Sequence, residues 1–190
     1  MARAREFDQD EVLDAAMEAF RHGGFGAVSI RTLEEATGLK AGSIYNSFGD
    51  KDGLFQKAVE HYNKVVVELR LHDHLDQNAP LDGLRSLFLS LLDEPGGGSS
   101  GCLLTNSAVE SGLIKSGALS GVHVGFGLLE AAFVAAIEDM WPGADKARTS
   151  AVRLLALYQG VLLLIRSGYS KDALRQMINF EFDMMKGRCS

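Results

Sequence analysis

The residues whose types and spacing suit chemistry lie in one short stretch of the chain. Arg31, Thr32, Lys40, Ala41, Gly42, Ser43, Tyr45, Asn46 and Lys51 combine cations, hydroxyls and an amide within 21 positions. That mixture suits recognition. Hydroxyl and amide side chains bond base edges or phosphates, and asparagine suits adenine. Arg31 and Thr32 stand where they can reach phosphates. Lys51 falls in the first turn of an expected helix, where its charge and the backbone N–H groups together favour a phosphate. Arg3 and Arg5 add a short basic arm able to follow a groove. Charge gives less support. Between Ser29 and Lys51, three basic residues (Arg31, Lys40, Lys51) meet three acidic ones (Glu34, Glu35, Asp50). A helical subdomain with scattered surface polar groups fits that balance too.

The elements that must position these groups are helical. Asp8 opens a first helix with Val12, Leu13, Ala16, Met17 and Phe20 on one stripe, and Gly23-Gly24 ends it. Ser29 caps a short second helix, with Val28 and Leu33 in staple positions. Gly38 ends that helix, and a third short one carries Ile44, Tyr45 and Phe48. Asp50 caps a fourth, in which Leu54, Phe55, Ala58, Val59, Tyr62, Val65 and Val66 fall mostly at helical spacing. Two short helices joined at a glycine and held by a preceding and a following helix form a helix-turn-helix, with the third helix in the major groove.

The run Ser-Ile-Arg-Thr-Leu-Glu-Glu-Ala-Thr-Gly-Leu-Lys-Ala-Gly-Ser-Ile-Tyr-Asn-Ser-Phe-Gly-Asp-Lys-Asp-Gly-Leu-Phe at 29–55 resembles the DNA-binding domain of the TetR/AcrR family of bacterial regulators. Its most specific part is 42–51, and the resemblance covers residues 8 to 62. The helical signals along the whole chain total about nine helices in an all-α fold, which fits that family. Residues 1–52 would form a three-helix DNA-binding domain and 53–190 a domain for effector binding and dimerisation. The resemblance also implies a homodimer that reads a double-stranded, palindromic operator and releases it when a small-molecule effector shifts the fourth helix. Two positions depart from the family. Glu34 stands where a small residue is common, and Lys40 stands where Ser, Thr or Pro usually caps the third helix.

Beyond His72 the helical signals continue at 81–92, 102–112, 118–140, 146–167 and 170–186. The helix from Lys146 to Ser167 is apolar around most of its circumference, with Leu162 and Ile165 among its apolar groups. Core on one side and a partner subunit on the other explains this, and a fully intramolecular core is the alternative. The helix from Ser170 to Met185 would complete a four-helix dimer interface. An effector pocket is expected among residues 81–166. Phe126, Phe133 and Tyr158 would line it, with Asn106, Glu110 and Gln159 as sparse polar groups and Cys102 beside them. Each of these residues taken singly fits a packed core equally well.

The stretch 101–110 also resembles a TetR subgroup in which the helix after a glycine-rich loop begins Gly-Cys, some members responding to thiol-reactive electrophiles or oxidants. A cysteine at a helix N-terminus can have a stabilised thiolate, and a small packing residue is the other reading of Cys102. Cys189 stands next to the last residue as a tail thiol. The run Pro-Gly-Gly-Gly-Ser-Ser-Gly at 95–101 reads as a loop, because no Gly-Lys-Ser/Thr follows it and no strand precedes it.

Other classes fit less well. The five histidines make no metal-ligand or triad-like pattern, and Glu34-Glu35 do not share a helix face. An enzyme is therefore disfavoured, and no metal or cofactor is expected. Two cysteines cannot make a disulfide framework. A formal charge of −6 argues against non-specific coating of nucleic acid. The run 154–165 is too short to span a bilayer, and the N-terminus has no apolar signal segment, so the expectation is cytoplasmic with no membrane partner. A helical interaction module with no DNA role, or a regulator sensing through Cys102, remain the alternatives.

Overall fold

The computed structural model describes residues 8–93, 100–143 and 146–187, with the backbone alone at position 116. Arg3, Arg5, residues 95–99 and Cys189 lie outside the described residues. Among those described there are nine helices and no strand: α1 (Gln9–Gly23), α2 (Ile30–Thr37), α3 (Ala41–Phe48), α4 (Lys51–Tyr62 and its continuation), α5 (Pro80–Ser90), α6 (Leu103–Val109), α7 (Ser116–Met140), α8 (Ala147–Arg166) and α9 (Lys171–Lys186). Short 3₁₀ turns follow α5 at Leu91–Asp93 and α6 at Ser111–Leu113.

The caps are where the local sequence puts them. Asp8 accepts the N–H groups of Asp10 and Glu11, and Ser29 and Thr32 form a reciprocal capping box. Asp50 accepts from Gly53, and Ser170 from Ala173. Gly24 ends α1 with φ +78°, a conformation that L side chains rarely adopt.

The fourth helix runs on past Val66, the last residue of its expected apolar stripe, in helical geometry through a π-helical stretch Asn63–Glu68, a turn Leu69–Leu71 and a second π-helical stretch His72–Asp76. A π turn takes an extra residue, so it shifts the apolar stripe and breaks the 3.6-residue period by which helices are read in sequence.

Two aromatic clusters anchor the ends of the molecule. Phe20, Phe25 and Phe55 meet with centroids 5.0–6.1 Å apart, joining α1, the turn after it and α4. Phe88 packs on Phe133, Tyr158 and Phe182 at 5.2–6.0 Å, joining α5, α7, α8 and α9. Edge-on and tilted contacts of this kind add to the burial of the rings.

Between the clusters α4 lies on α7 along a row of glycines. A Cβ at Gly117 would meet the Gln56 side chain at 3.7 Å, one at Gly121 would meet Val59 at 3.0 Å, and one at Gly125 would meet Asn63 at 2.4 Å. The buried Asn63 donates from Nδ2 to the Gly121 carbonyl at 2.8 Å, and its Oδ1 has no hydrogen-bond partner.

By length and composition alone, Gly117–Met140 in α7 and Ala147–Arg166 in α8 are apolar enough to cross a membrane, which the run 154–165 taken by itself did not suggest. In the fold α7 packs against α4, α5, α6 and α8, the role of a core helix.

Candidate functional site

The helix-turn-helix is built from short-range pieces. Gly38, with φ +71°, closes α2 through its N–H to the Glu34 carbonyl. Two residues later the chain enters α3 at Lys40, whose side chain makes no capping bond. The capping acceptor comes from α2 instead, where Glu34 Oε1 accepts the Ala41 N–H at 2.8 Å. The two departures from the family pattern, Glu34 and Lys40, therefore compensate each other.

Ile44 is fully buried and fixes α3 on its support. Gly42, Ser43, Tyr45 and Asn46 then face outward, and Ala41 is half-buried. Lys40 is also exposed. Tyr45 leaves about half its surface, 49%, in solvent, which a packing role would not explain. Arg31 is exposed and pairs with Glu35 one turn on, at 3.0 Å. Thr32 is exposed as well, although its hydroxyl serves the Ser29 cap.

Lys51 has a different job from the one its position suggested. Its Nζ donates to the Phe25 carbonyl at 2.7 Å and the Val28 carbonyl at 2.9 Å, and sits 4.3 Å over the Phe25 ring. The ammonium is turned inward and ties the α1–α2 turn to the start of α4. At the same corner Gly53 is required by space, because a Cβ there would lie 1.9 Å from the Phe48 carbonyl oxygen.

The residues expected around a pocket separate into three groups. Phe133 and Tyr158 belong to the second aromatic cluster, and Phe126 packs half-buried against the core. Gln159 accepts the Thr105 hydroxyl through Oε1, while its buried Nε2 has no hydrogen-bond partner. Asn106 and Glu110 face the N-terminal helices instead. Asn106 donates to the carbonyls of Arg21 and Ser100 at 3.0 and 2.9 Å, and Glu110 Oε2 accepts the Gly26 N–H at 3.0 Å. Helical spacing could not have shown that, since both bonds cross more than eighty positions of sequence.

Cys102 is 5% exposed at the N-cap position of α6, and its sulfur accepts the Tyr62 hydroxyl at 3.4 Å. A small cavity of about 10 Å³ lies beside it, walled by Tyr62, Val66, Leu104, Leu129, Tyr158 and Leu162. Among the described residues no three His, Cys, Asp or Glu side chains are grouped as metal ligands.

Comparison with known proteins bears on this geometry. Residues 12–58, the segment that forms α1 to α4, match the family model for bacterial regulatory proteins of the tetR family. Over this segment the chain is similar to the tetR family. It is 43% identical over 60 residues to the HTH-type transcriptional repressor ComR of Escherichia coli, covering 32% of this chain and 29% of that one. It is 32% identical over 117 residues to the uncharacterized HTH-type transcriptional regulator YezE of Bacillus subtilis, covering 58% of each. The match thus spans under two thirds of the length of these TetR-family relatives. The whole fold is similar to that of the TetR-family regulator CifR, a cysteine mutant of which was solved with a 26-base-pair operator duplex. The TM-score is 0.80 at 24% identity, over 95% of this chain and 98% of that one.

Proposed function

We propose that this protein is a transcriptional regulator, acting as a repressor, that reads a palindromic double-stranded operator as a homodimer and releases it on binding a small-molecule effector. One observation carries the reading. α3 is pinned by a single buried residue, Ile44, and turns Gly42, Ser43, Tyr45 and Asn46 outward as one polar and aromatic face. Its relative ComR is named as a repressor, and a cysteine mutant of its structural neighbour CifR was solved on operator DNA. Similarity to the tetR family over residues 12–58 supports a regulator in place of an enzyme, working in the cytoplasm on DNA. A mobility shift of the full chain on duplexes selected in vitro from random sequence tests this. Enrichment of a palindrome supports it, and failure to enrich any sequence at low salt counts against it.

The division at residue 52 suits this reading, with the qualification that the head is completed by Leu54 and Phe55 of α4, both fully buried. Dimerisation is assigned to α8 and α9. Val152, Leu163, Phe180 and Met184 are 48–66% exposed, and Gly160 faces open space. Exposed apolar groups concentrated on two adjacent helices suit an isologous contact. Leu162 and Ile165, the apolar groups singled out from sequence, are 5% exposed and belong to the subunit's own core.

We assign the effector site to the cavity beside Tyr158 and Cys102, whose remaining walls are mostly apolar. An apolar effector suits that lining, and entry requires the cavity, about 10 Å³, to widen. A second reading, a thiol sensor, draws on the Tyr62 hydroxyl at the Cys102 sulfur, a contact that alkylation or oxidation would break. Treating the wild type and Cys102→Ser with a mild electrophile separates the two. Equal release of DNA by both, or by neither, leaves Cys102 as a packing residue.

A further inference from the structure

The segment between α6 and α7 touches two segments of the N-terminal head. At one, the Glu110 carboxylate accepts the Gly26 N–H and lies against Gly24, where a Cβ would sit 2.4 Å from Oε1. Leu113 approaches the same turn, 3.0 Å from the place of a Cβ on Gly26. At the other, Lys115 Nζ donates to Asp50 Oδ2 at 2.6 Å and lies 3.3 Å from Asp52, whose Oδ1 also accepts the Lys115 N–H. Gly24 and Gly26 are in the turn before α2. Asp50 and Asp52 are in the turn after α3 and the first turn of α4. Residues 110–115 thus hold both segments that flank the α2–α3 unit, at the corner that Lys51 also ties together.

We propose that Glu110 and Lys115 are positioning residues, forming a strap that fixes the angle at which the C-terminal domain presents α3. This rests on the reading of α3 as the element that meets DNA. A single tether would leave a swivel, and two tethers, one on each segment that flanks the α2–α3 unit in sequence, oppose it. The contacts are charge-assisted, which makes them stronger and more directional than neutral ones. Asp50 does double work, because its Oδ1 caps α4 through the Gly53 N–H while Oδ2 receives Lys115. The strap also has an inner end. It continues from α6, a seven-residue helix about 10 Å long, whose first turn supplies Leu104 to the small cavity. Displacement of α6 at that cavity is therefore delivered to both tethers together.

The test uses the full chain without DNA. Nitroxide labels are placed on α3 and α9 through Ser47→Cys and Asp172→Cys, in a Cys189→Ser background in which Cys102 stays buried. Dilution into unlabelled chain restricts the signal to distances within one subunit. Pulsed electron resonance of the parent is expected to give one narrow distance. Glu110→Ala with Lys115→Met is expected to widen that distribution at least about twofold. Exchange of the Gly26 amide should become about fivefold faster, while core amides keep their protection. Glu110→Gln with Lys115→Arg keeps an acceptor and a cation and should restore the narrow distance. Each single variant is read as well, so misfolding of the double variant does not end the test. A distribution as narrow in the Ala and Met variants as in the parent overturns the proposal. Failure of the DNA-binding reading shows separately, as a parent protein that retards no duplex.

Discussion

The Glu34 carboxylate accepts the Ala41 N–H at 2.8 Å, so the last turn of α2 supplies the cap that Lys40 cannot give α3. A side chain that caps a neighbouring helix does more than satisfy one orphan donor, because it also fixes the two helices relative to each other. Glu34→Ala should cost about 0.5–2 kcal/mol, the usual range for removing an N-cap. Adding Lys40→Ser, which brings a local cap, should recover most of that loss. Thermal melting of the two variants checks this, and a double variant no more stable than Glu34→Ala alone would refute the exchange.

Replacement of outward residues should separate from replacement of Lys51. Asn46→Ala or Tyr45→Ala is expected to weaken operator binding with the melting temperature unchanged, by about 1–3 kcal/mol for a lost base contact. Arg31→Ala should flatten the salt dependence by roughly one unit. Lys51→Met should act through the fold, since it strips the cation from the Phe25 and Val28 carbonyls. Its cost is on the order of 1–3 kcal/mol of stability, with the salt slope kept. Binding isotherms over a range of salt, beside melting curves, read both effects.

A charge on the outer face of α8 or α9 should give folded monomers. Leu163→Glu and Phe180→Glu place the charge at groups that are 58% and 66% exposed. Leu162→Glu, one position along and buried, should unfold the subunit instead. Sedimentation velocity at micromolar concentration distinguishes the cases. A Leu163→Glu protein that still sediments as a dimer would move the interface elsewhere.

The glycines of α7 are not equivalent. Gly125→Ala would bring a methyl group to 2.4 Å from Asn63 and 2.5 Å from Leu104. It should destabilise by about 1–3 kcal/mol, as overpacking does. Gly127→Ala points into open space and should be neutral or stabilising by up to about 1 kcal/mol through helix propensity. Urea midpoints of the two variants provide the comparison.

Mild acid should loosen the second π stretch. Burial, with the nearby Arg70 charge, holds His74 below its ordinary value of 6.5, while Asp73 opposes this. The unfolded chain therefore takes up this proton before the folded one does. Stability from this group is complete above pH 6.5 and falls as pH drops below it, through the lowered folded value. His74 also bonds the Ser86 hydroxyl at 2.8 Å and so ties this stretch to α5. His74→Gln should flatten the dependence of the melting temperature on pH between neutrality and pH 5.

Local signals were legible in the sequence. Asp8, Ser29, Asp50 and Ser170 announce helix starts within three residues of themselves, and the structure places a cap at each. The outward set on α3 follows from one buried Ile44 and the helical period. Contacts across long stretches of chain were not legible. Lys51 looked available to phosphate because nothing near it in sequence reveals the Phe25 and Val28 carbonyls, more than twenty positions away. Glu110 looked like a pocket group because spacing shows which way a side chain turns on its helix, not which element lies opposite. For the same reason Phe133 and Tyr158 were legible as inward-facing, while their partners Phe88 and Phe182 were not.

The glycine row under α4 makes its seat periodic. Gly117, Gly121 and Gly125 are one helical turn apart, and Gln56, Val59 and Asn63 face them in turn. Moving α4 lengthwise by part of a turn would set these side chains against the larger groups between the glycines. A step of a full turn, about 6 Å, would set Asn63 against Leu129 in one direction and carry Gln56 past Gly117 to Leu113 in the other. The row therefore works as a key with a single fit, and it fixes the lengthwise register in which α4 carries the head.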